Sequence, residues 1–282
     1  MDRFQEQIIL NALNEDLLAS GDITSNCLIP EDHKSTFKLI VNEDAILAGL
    51  DIFVKTFKLL EKKENSIIVK SNFKDGDKIK KTSVVATISG FTKNILKGER
   101  TALNFICHLS GIATLTYKLV NLIKNTGVVL LDTRKTTPGL RYLEKKAVLL
   151  GKGKNHRFNL SQMVLIKDNH IDVTCDLEKA VKKSRKCYGK KYKIEIEVRN
   201  LKELKTTISS SSKPDIIMFD NWKVKDLKKA LKLVPKHIHT EASGQISLEN
   251  IKEYAKTKIN YISTGYMIKN AKWVDFSLRT GN

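Results

Sequence analysis

No stretch of this sequence stays apolar for anything near the ~20 residues that a bilayer-spanning helix needs, so no membrane partner is expected. The opening segment MDRFQEQIILNALNED mixes acids into an apolar stripe of Phe4, Ile8, Ala12 and Leu13, and lacks the uncharged core of a secretory signal. Cysteine is scarce. Cys27, Cys107, Cys175 and Cys187 form no CxxC pair and no metal-site spacing, which argues against a disulfide scaffold or a zinc module and predicts buried thiols in a reducing cytosol. Arginine is scarcer than the net charge of +19 would suggest: of 50 cations only 8 are Arg, and the Lys are spread along helix faces such as KKSRKCYGKK and KVKDLKKALK. No arginine stripe interleaved with aromatics is present, so the charge reads as a solvated lysine surface rather than a nucleic-acid face. A soluble, cytoplasmic protein is the expectation.

The scarcity makes the arginines informative, because a planar five-donor fork in a lysine-rich chain marks a place where its geometry matters. Arg100, Arg134, Arg141 and Arg157 cluster in the middle of the sequence. From Val128 onward, short β-rich runs alternate with amphipathic helical stretches: VVLLD (128–132), MVLIKD (163–168), KIEIEV (193–198), DIIMFDN (215–221), HIHTEAS (237–243) and NYISTG (260–265). Strands that alternate with helices imply βαβ crossovers and a parallel sheet, and this many favours an incomplete parallel (β/α) barrel over an open sheet.

The segment before it differs. TFKLIVNEDAILAG, NSIIVKSNF and SVVATISG look like antiparallel strands, with a KDGDK turn at 74–78, and are followed by a helix rich in Leu103, Phe105, Ile106 and Leu109. The chain is therefore expected to be an α/β protein with an N-terminal α/β domain over 1–112 and a barrel over 113–270. The tail 271–282, with WVDFSLR, is expected to return to the first domain as a strand.

In barrel enzymes chemistry sits where strands end. Here the strands end on Asp132 with Arg134 and Lys135, then on Lys167 with Asp168, Glu197, Asp220 and Glu241. Any one of these can be structural, as Asp220 would be if it capped the next helix. A whole ring of them is costly unless paired or ligand-bound. The loop GKGKNHRFN adds Lys152, Lys154, His156 and Arg157, read as anion recognition. The last two strands end in EASGQ and STGY, small residues that let backbone N–H groups approach a phosphate. Glu197 and Asp220 would suffice for Mg²⁺, which takes few carboxylates and keeps substrate oxygens. The expected ligands are a sugar phosphate bearing a pyrophosphate and a second, carboxylate-rich substrate.

Taken together, GDITS (21–25), GERTALNFICHLSGIAT (98–114), LDTRKTTPGLRYLEKKAV (131–148), GKGKNHRFNLSQMVLIKDNHI (151–171), EIEV, IMFDN, EASG and DFSL resemble the quinolinate phosphoribosyltransferases of NAD biosynthesis in order along the whole chain. The resemblance implies an N-terminal α/β sandwich plus an incomplete α/β barrel, and a homodimer whose active site is shared across the interface. It implies that Thr133, Arg134, Lys135, His156, Arg157 and Lys167 hold quinolinate and pyrophosphate, with Arg100 lent by the partner subunit. Lys135, Lys167, Glu197 and Asp220 would be catalytic, with the two acids near the ribose and Mg²⁺, and Ser243, Gly244, Gly265 and Lys269 would bind phosphate. The reaction implied is quinolinate plus phosphoribosyl pyrophosphate giving nicotinate mononucleotide, CO₂ and pyrophosphate. The chain departs from the family after Gly265, where Tyr266, Met267, Ile268, Lys269 and Asn270 replace the usual small residue and His-Ser pair, and at Gln245, where glycine is frequent. A sister branch associated with molybdenum transport lacks the KNHRF and IKDNH pattern, and a basic nucleic-acid-binding protein would leave the strand-end acids unexplained.

Overall fold

The computed structural model describes residues 2–61, 66–174 and 176–281. Along the chain come α1 (Asp2–Leu17), α2 (Ile23–Leu28), β1 (Lys34–Val41), β2 (Ala45–Ile46), α3 (Leu50–Leu59), β3 (Ile67–Lys70), β4 (Lys78–Ile79), β5 (Val84–Phe91) and the long α4 (Thr92–Leu122). Strands and helices then alternate: β6 (Val129–Leu131), α5 (Arg141–Leu150), β7 (Val164–Ile166), α6 (Asp168–Thr174), α7 (Leu177–Tyr188), β8 (Ile194–Val198) and α8 (Leu201–Ser209). The chain ends with β9 (Ile216–Asp220), α9 (Val224–Leu231), β10 (His239–Ser243), α10 (Ile251–Ala255), β11 (Tyr261–Ser263), α11 (Tyr266–Lys269) and β12 (Phe276–Thr280). Among the described residues no helix is long and apolar enough to cross a membrane.

Two compact units result. The first takes residues 1–117, 137–152 and 270–282, and the second takes 118–136 and 153–269. The sequence-based boundary at 112 falls inside α4, which has no proline to stop it and continues to Leu122. Helix α5, read from the sequence as a barrel helix, groups with the first unit.

The first unit is built on alternation. Along β1 the side chains of Phe37, Leu39 and Val41 turn inward while their neighbours stay more exposed, the period of a half-buried strand. Strand β1 sits between β5 and the tail strand β12, antiparallel to both, in the order β12-β1-β5-β3. The apolar face joins Phe53 and Phe57 of α3 and Leu103 and Ile106 of α4 in one core, with Val274 and Phe276 of the tail.

The second unit is a six-stranded, all-parallel sheet in the order β6-β11-β10-β9-β8-β7. Successive strands β7 to β11 are neighbours, and the first strand, β6, closes against the last. An isolated bridge from Leu131 to Lys154 lies beside β6, and β6 and β7 do not pair, which makes this an incomplete barrel. Its central strands are buried along nearly their full length, as parallel strands covered on both faces must be. Helices α7 and α8 start at Asp176 and Asn200, whose side chains accept from the N–H groups of Lys179 and Glu203.

Burial of the thiols does not follow the expectation from composition. Cys107 is buried, but Cys27 and Cys187 are exposed, because both lie on the solvent side of short-range surface helices; Cys175 lies outside the described residues.

Gly111 tests how the tail is seated within the first unit. A Cβ there would overlap the Lys272 carbonyl and reach within 3.4 Å of Trp273 Cα, so α4 and the tail approach backbone to backbone. Helix propensity alone favours Ala over Gly by about 1 kcal/mol, whereas forcing atoms into a packed site costs roughly 1–3 kcal/mol. Gly111→Ala is therefore expected to lower Tm by a few degrees in thermal unfolding. A raised Tm would show that propensity outweighs the close approach.

Candidate active site

Because the strands of the second unit run parallel, their C-terminal ends share one rim. The geometry there begins with Asp132, which follows β6 and is fully buried. Its N–H donates to the Lys154 carbonyl at 3.0 Å, and the Lys154 N–H donates to the Leu130 carbonyl at 2.9 Å. Its carboxylate accepts the His156 N–H at 2.8 Å. The basic loop is thus laid along the edge of β6 by three hydrogen bonds.

That placement gathers cations. Arg157 donates from Nη1 to the Met163 carbonyl at 3.2 Å. Burial, and then the charge of Arg134, hold its guanidinium below its ordinary pKa, while Glu195 and Glu197 act in the opposite sense. Lys135 projects from a tight turn in which its N–H donates to Thr133 Oγ1 at 3.0 Å. Both residues lie against the turn after β11: a Cβ on Gly265 would meet Thr133 Oγ1 at 3.3 Å and Lys135 Cβ at 3.4 Å. The early cationic loop and the late glycine turn are adjacent because β6 pairs with β11.

The acids come from the middle strands. Lys167, just past β7, makes an ion pair with Glu197 of β8, Nζ to Oε1 at 2.6 Å. Glu197 is opposite Met218 on β9, and Asp220 lies two residues farther along β9, so both carboxylates share one face of adjacent strands. Asp220 does not cap the next helix, since α9 has Lys223 at its cap position with no side-chain cap bond. Its Oδ2 accepts from the Asn221 amide at 2.7 Å. On β10, Ser243 is followed by Gly244 at φ +124°, a conformation that favours glycine. Lys269 is exposed at the end of α11, with its N–H donating to the Gly265 carbonyl at 3.0 Å. Arg100 is exposed on α4 in the first unit.

Two residues lie elsewhere than the sequence suggested. Glu241 reads as a rim acid from the sequence, but it lies two residues before the end of β10 at a fully buried position. His156 reads as anion-binding from its basic loop, yet its ring turns inward to Glu195 Oε2 at 3.0 Å and Glu241 Oε2 at 3.7 Å. His156, Glu195 and Glu241 have the composition of a metal site. The tautomer argues otherwise. His156 Nδ1 accepts the Arg157 N–H at 2.7 Å, so the ring proton is on Nε2, which donates to Glu195 and has no lone pair for a metal. Burial, with Glu197 as the next cause, lifts the Glu195 carboxyl to about 8. Burial, with Glu195 next, likewise lifts Glu241 to about 8. Burial thus favours the protonated form of both carboxyls at neutral pH.

Sequence reasoning passed over Asn221 and the inward role of Glu195. The available signals were the parity of Glu195 with Glu197 and an Asn, which tolerates the left-handed region, directly after a strand acid.

The comparisons with known proteins converge on one family. The family model described as Quinolinate phosphoribosyl transferase, C-terminal domain, matches residues 112–279, and that of the N-terminal domain matches residues 22–110. A Bacillus subtilis protein named probable nicotinate-nucleotide pyrophosphorylase [carboxylating] is 38% identical over 99% of this chain and 94% of its own length. A Nicotiana tabacum quinolinate phosphoribosyltransferase [decarboxylating] is 36% identical over 97% of this chain and 81% of its own. The solved structure of the nicotinate-nucleotide pyrophosphorylase from Francisella tularensis superposes with a TM-score of 0.90 at 37% identity, covering 100% of this chain and 97% of the other.

The buried carboxyls set a pH dependence of stability. An acid whose folded pKa lies near 8, against 4.5 in the unfolded chain, costs nothing below pH 4.5 and destabilises progressively as the pH rises toward 8. Glu241→Gln keeps the shape without the ionisation. Its Tm advantage over wild type is expected to grow between pH 5.5 and 8 in thermal unfolding. Parallel pH profiles for the two proteins would refute the assignment.

Proposed function

This chain belongs to the quinolinate phosphoribosyltransferase family, and we propose that the barrel rim described above is where its reaction takes place. The reaction joins quinolinate to phosphoribosyl pyrophosphate, giving nicotinate mononucleotide, CO₂ and pyrophosphate. The observation that carries the site assignment is the gathering of Arg134, Arg157 and Lys167 in one unit beside Glu197, with the Gly265 turn packed on Lys135.

Two guanidiniums close enough that the charge of Arg134 acts on Arg157 attract a dianion strongly. Arg134 and Arg157 hold quinolinate's two carboxylates in bidentate fashion, with Lys167 as a third, movable charge. His156 serves from beneath, accepting the Arg157 N–H and so fixing the backbone from which that guanidinium projects. Lys135 and Thr133 face the pyrophosphate, and Ser243, Gly244, Gly265 and Lys269 face the phosphate of the sugar.

The pyridine nitrogen lone pair forms a bond to ribose C1 as the C1–O bond breaks and its electrons leave with pyrophosphate. Positive charge develops on the ribose, and Glu197 and Asp220 lie where carboxylates stabilise it. The ring nitrogen is then a pyridinium. When the neighbouring carboxylate leaves as CO₂, the bonding pair stays on the ring carbon, stabilised by that nitrogen, until the carbon takes a proton.

Glu197 and Asp220 also suit Mg²⁺. They offer oxygen donors on one face of adjacent strands, each steadied by a neighbour, Lys167 for one and Asn221 for the other. When bound, the ion neutralises charge on the departing pyrophosphate.

Activity is tested by forming nicotinate mononucleotide from quinolinate, phosphoribosyl pyrophosphate and Mg²⁺. Nicotinate has one carboxylate and leaves a cation unpaired, so its kcat/KM is expected to be lower by on the order of 10² or more. Comparable turnover of the two acids would remove the dicarboxylate role from Arg134 and Arg157.

The active form is a homodimer in which Arg100 serves the neighbouring subunit's site. A mixture of inactive Arg100→Ala and Lys135→Ala subunits then regains activity, because half of randomly reassorted dimers are hybrids with one intact site. The expected recovery is about a quarter of wild type. Demonstrated subunit exchange without recovery would show that Arg100 does not act in trans.

A further inference from the structure

Asn221 is the residue after β9, and its backbone lies in the left-handed region at φ +58°, which few residues other than glycine adopt readily. The conformation is imposed from both sides. On one side, the Asn221 N–H donates to the Ser243 carbonyl at 2.9 Å, extending the β9–β10 ladder by one bond. On the other, Trp222 is buried against Phe219, donates from its indole N–H to the Val198 carbonyl at 2.8 Å, and its own carbonyl accepts from the Tyr254 hydroxyl at 2.8 Å.

Held this way, the Asn221 side chain spans two parts of the rim. Its amide N–H donates to Asp220 Oδ2 at 2.7 Å, which selects one orientation of that carboxylate. Its amide oxygen lies against Gly244, where a Cβ would overlap it and would also come within 3.0 Å of Asn221 Cγ and N. Gly244, at φ +124°, thus accepts the amide only because it has no side chain. The same side chain that aims Asp220 also seats the Ser243–Gly244 turn.

We propose that Asn221 is a positioning residue that couples the aim of the Asp220 carboxylate to the seating of the Ser243–Gly244 turn, so that the ribose and phosphate ends of one phosphorylated sugar are held in register. This rests on the reading that Asp220 and the Ser243–Gly244 turn both serve phosphoribosyl pyrophosphate. Asn221 itself touches no reacting atom. Its removal should leave quinolinate recognition alone, since the quinolinate cations Arg134, Arg157 and Lys167 come from the loop after β6, the loop between α5 and β7, and the end of β7.

The test uses two variants that tolerate the left-handed backbone and so keep the fold. Asn221→Gly deletes the amide, and Asn221→Asp keeps the shape but places a second carboxylate beside Asp220. Calorimetric binding of phosphoribosyl pyrophosphate, quinolinate binding, steady-state kinetics and Tm are measured for both and for wild type. Asn221→Gly is expected to lower kcat/KM for phosphoribosyl pyrophosphate on the order of 10-fold, the size of one lost hydrogen bond to a charged group. Asn221→Asp should lower it further, with quinolinate binding within about twofold of wild type for both. In an Asp220→Ala background the effect of Asn221→Gly should shrink markedly, since its target is gone. Unchanged phosphoribosyl pyrophosphate binding and kinetics in Asn221→Gly would overturn this proposal alone, as would full additivity with Asp220→Ala. A wild-type protein that fails to bind phosphoribosyl pyrophosphate would overturn the underlying reading and this proposal with it.

Discussion

The rim of the second unit depends on the buried carboxylate of Asp132. A charge with no exposed surface must be compensated by hydrogen bonds, and Asp132 takes the His156 N–H while its own backbone pairs with Lys154. This interaction replaces a missing strand-to-strand ladder, because β6 and β7 do not pair. Together with the bonds from the Lys154 N–H to the Leu130 carbonyl and from Arg157 to the Met163 carbonyl, it fixes the course of the loop that carries His156 and Arg157. The gap in the barrel is therefore where the cationic half of the site is assembled, and the closing element is a loop that carries side chains of its own choosing rather than a strand bound to strict alternation.

Charge is organised in two layers at this end of the unit. At the rim, cations and carboxylates are partly exposed and matched, as in the Lys167–Glu197 pair. Beneath it, half-buried His156 donates to the fully buried Glu195 and lies 3.7 Å from the fully buried Glu241, and burial favours the protonated form of both carboxyls. Burial thereby limits the negative charge that Glu195 sets against Arg157. Both layers follow from the pleat, which puts Glu195 and Glu197 on the same face of β8 at successive depths.

The first unit solves a different problem. Its antiparallel sheet has one apolar face, covered by α3 and α4, and its edge next to β1 is closed by the tail strand β12. The close approach of Gly111 to Lys272 lets the tail run to that edge along α4. Residues far apart in the chain are thereby committed to one core.

Much of this was legible in the sequence because it is local. The six barrel strands announce themselves as apolar runs punctuated by amphipathic helices, and the residues after each run name the rim: Arg134, Lys135, Lys167, Glu197, Asp220 and Gly265. The depth of a charged residue within its strand is less legible: Glu241 reads as a rim acid, although the run HIHTEAS already extends to Ser243 as β10 does, and the residue is fully buried. What only the tertiary structure decided is where side chains point and what they meet. His156 belongs to a basic loop by sequence, but its ring orientation is fixed by two carboxyls from β8 and β10, strands it precedes by many residues. Asn221 looks like an ordinary turn residue until β10 brings Ser243 and Gly244 against it. The reason is physical: hydrophobic pattern and turn chemistry are written in neighbouring residues, whereas proton sharing and the aim of a carboxylate depend on atoms brought within 3 Å by folding.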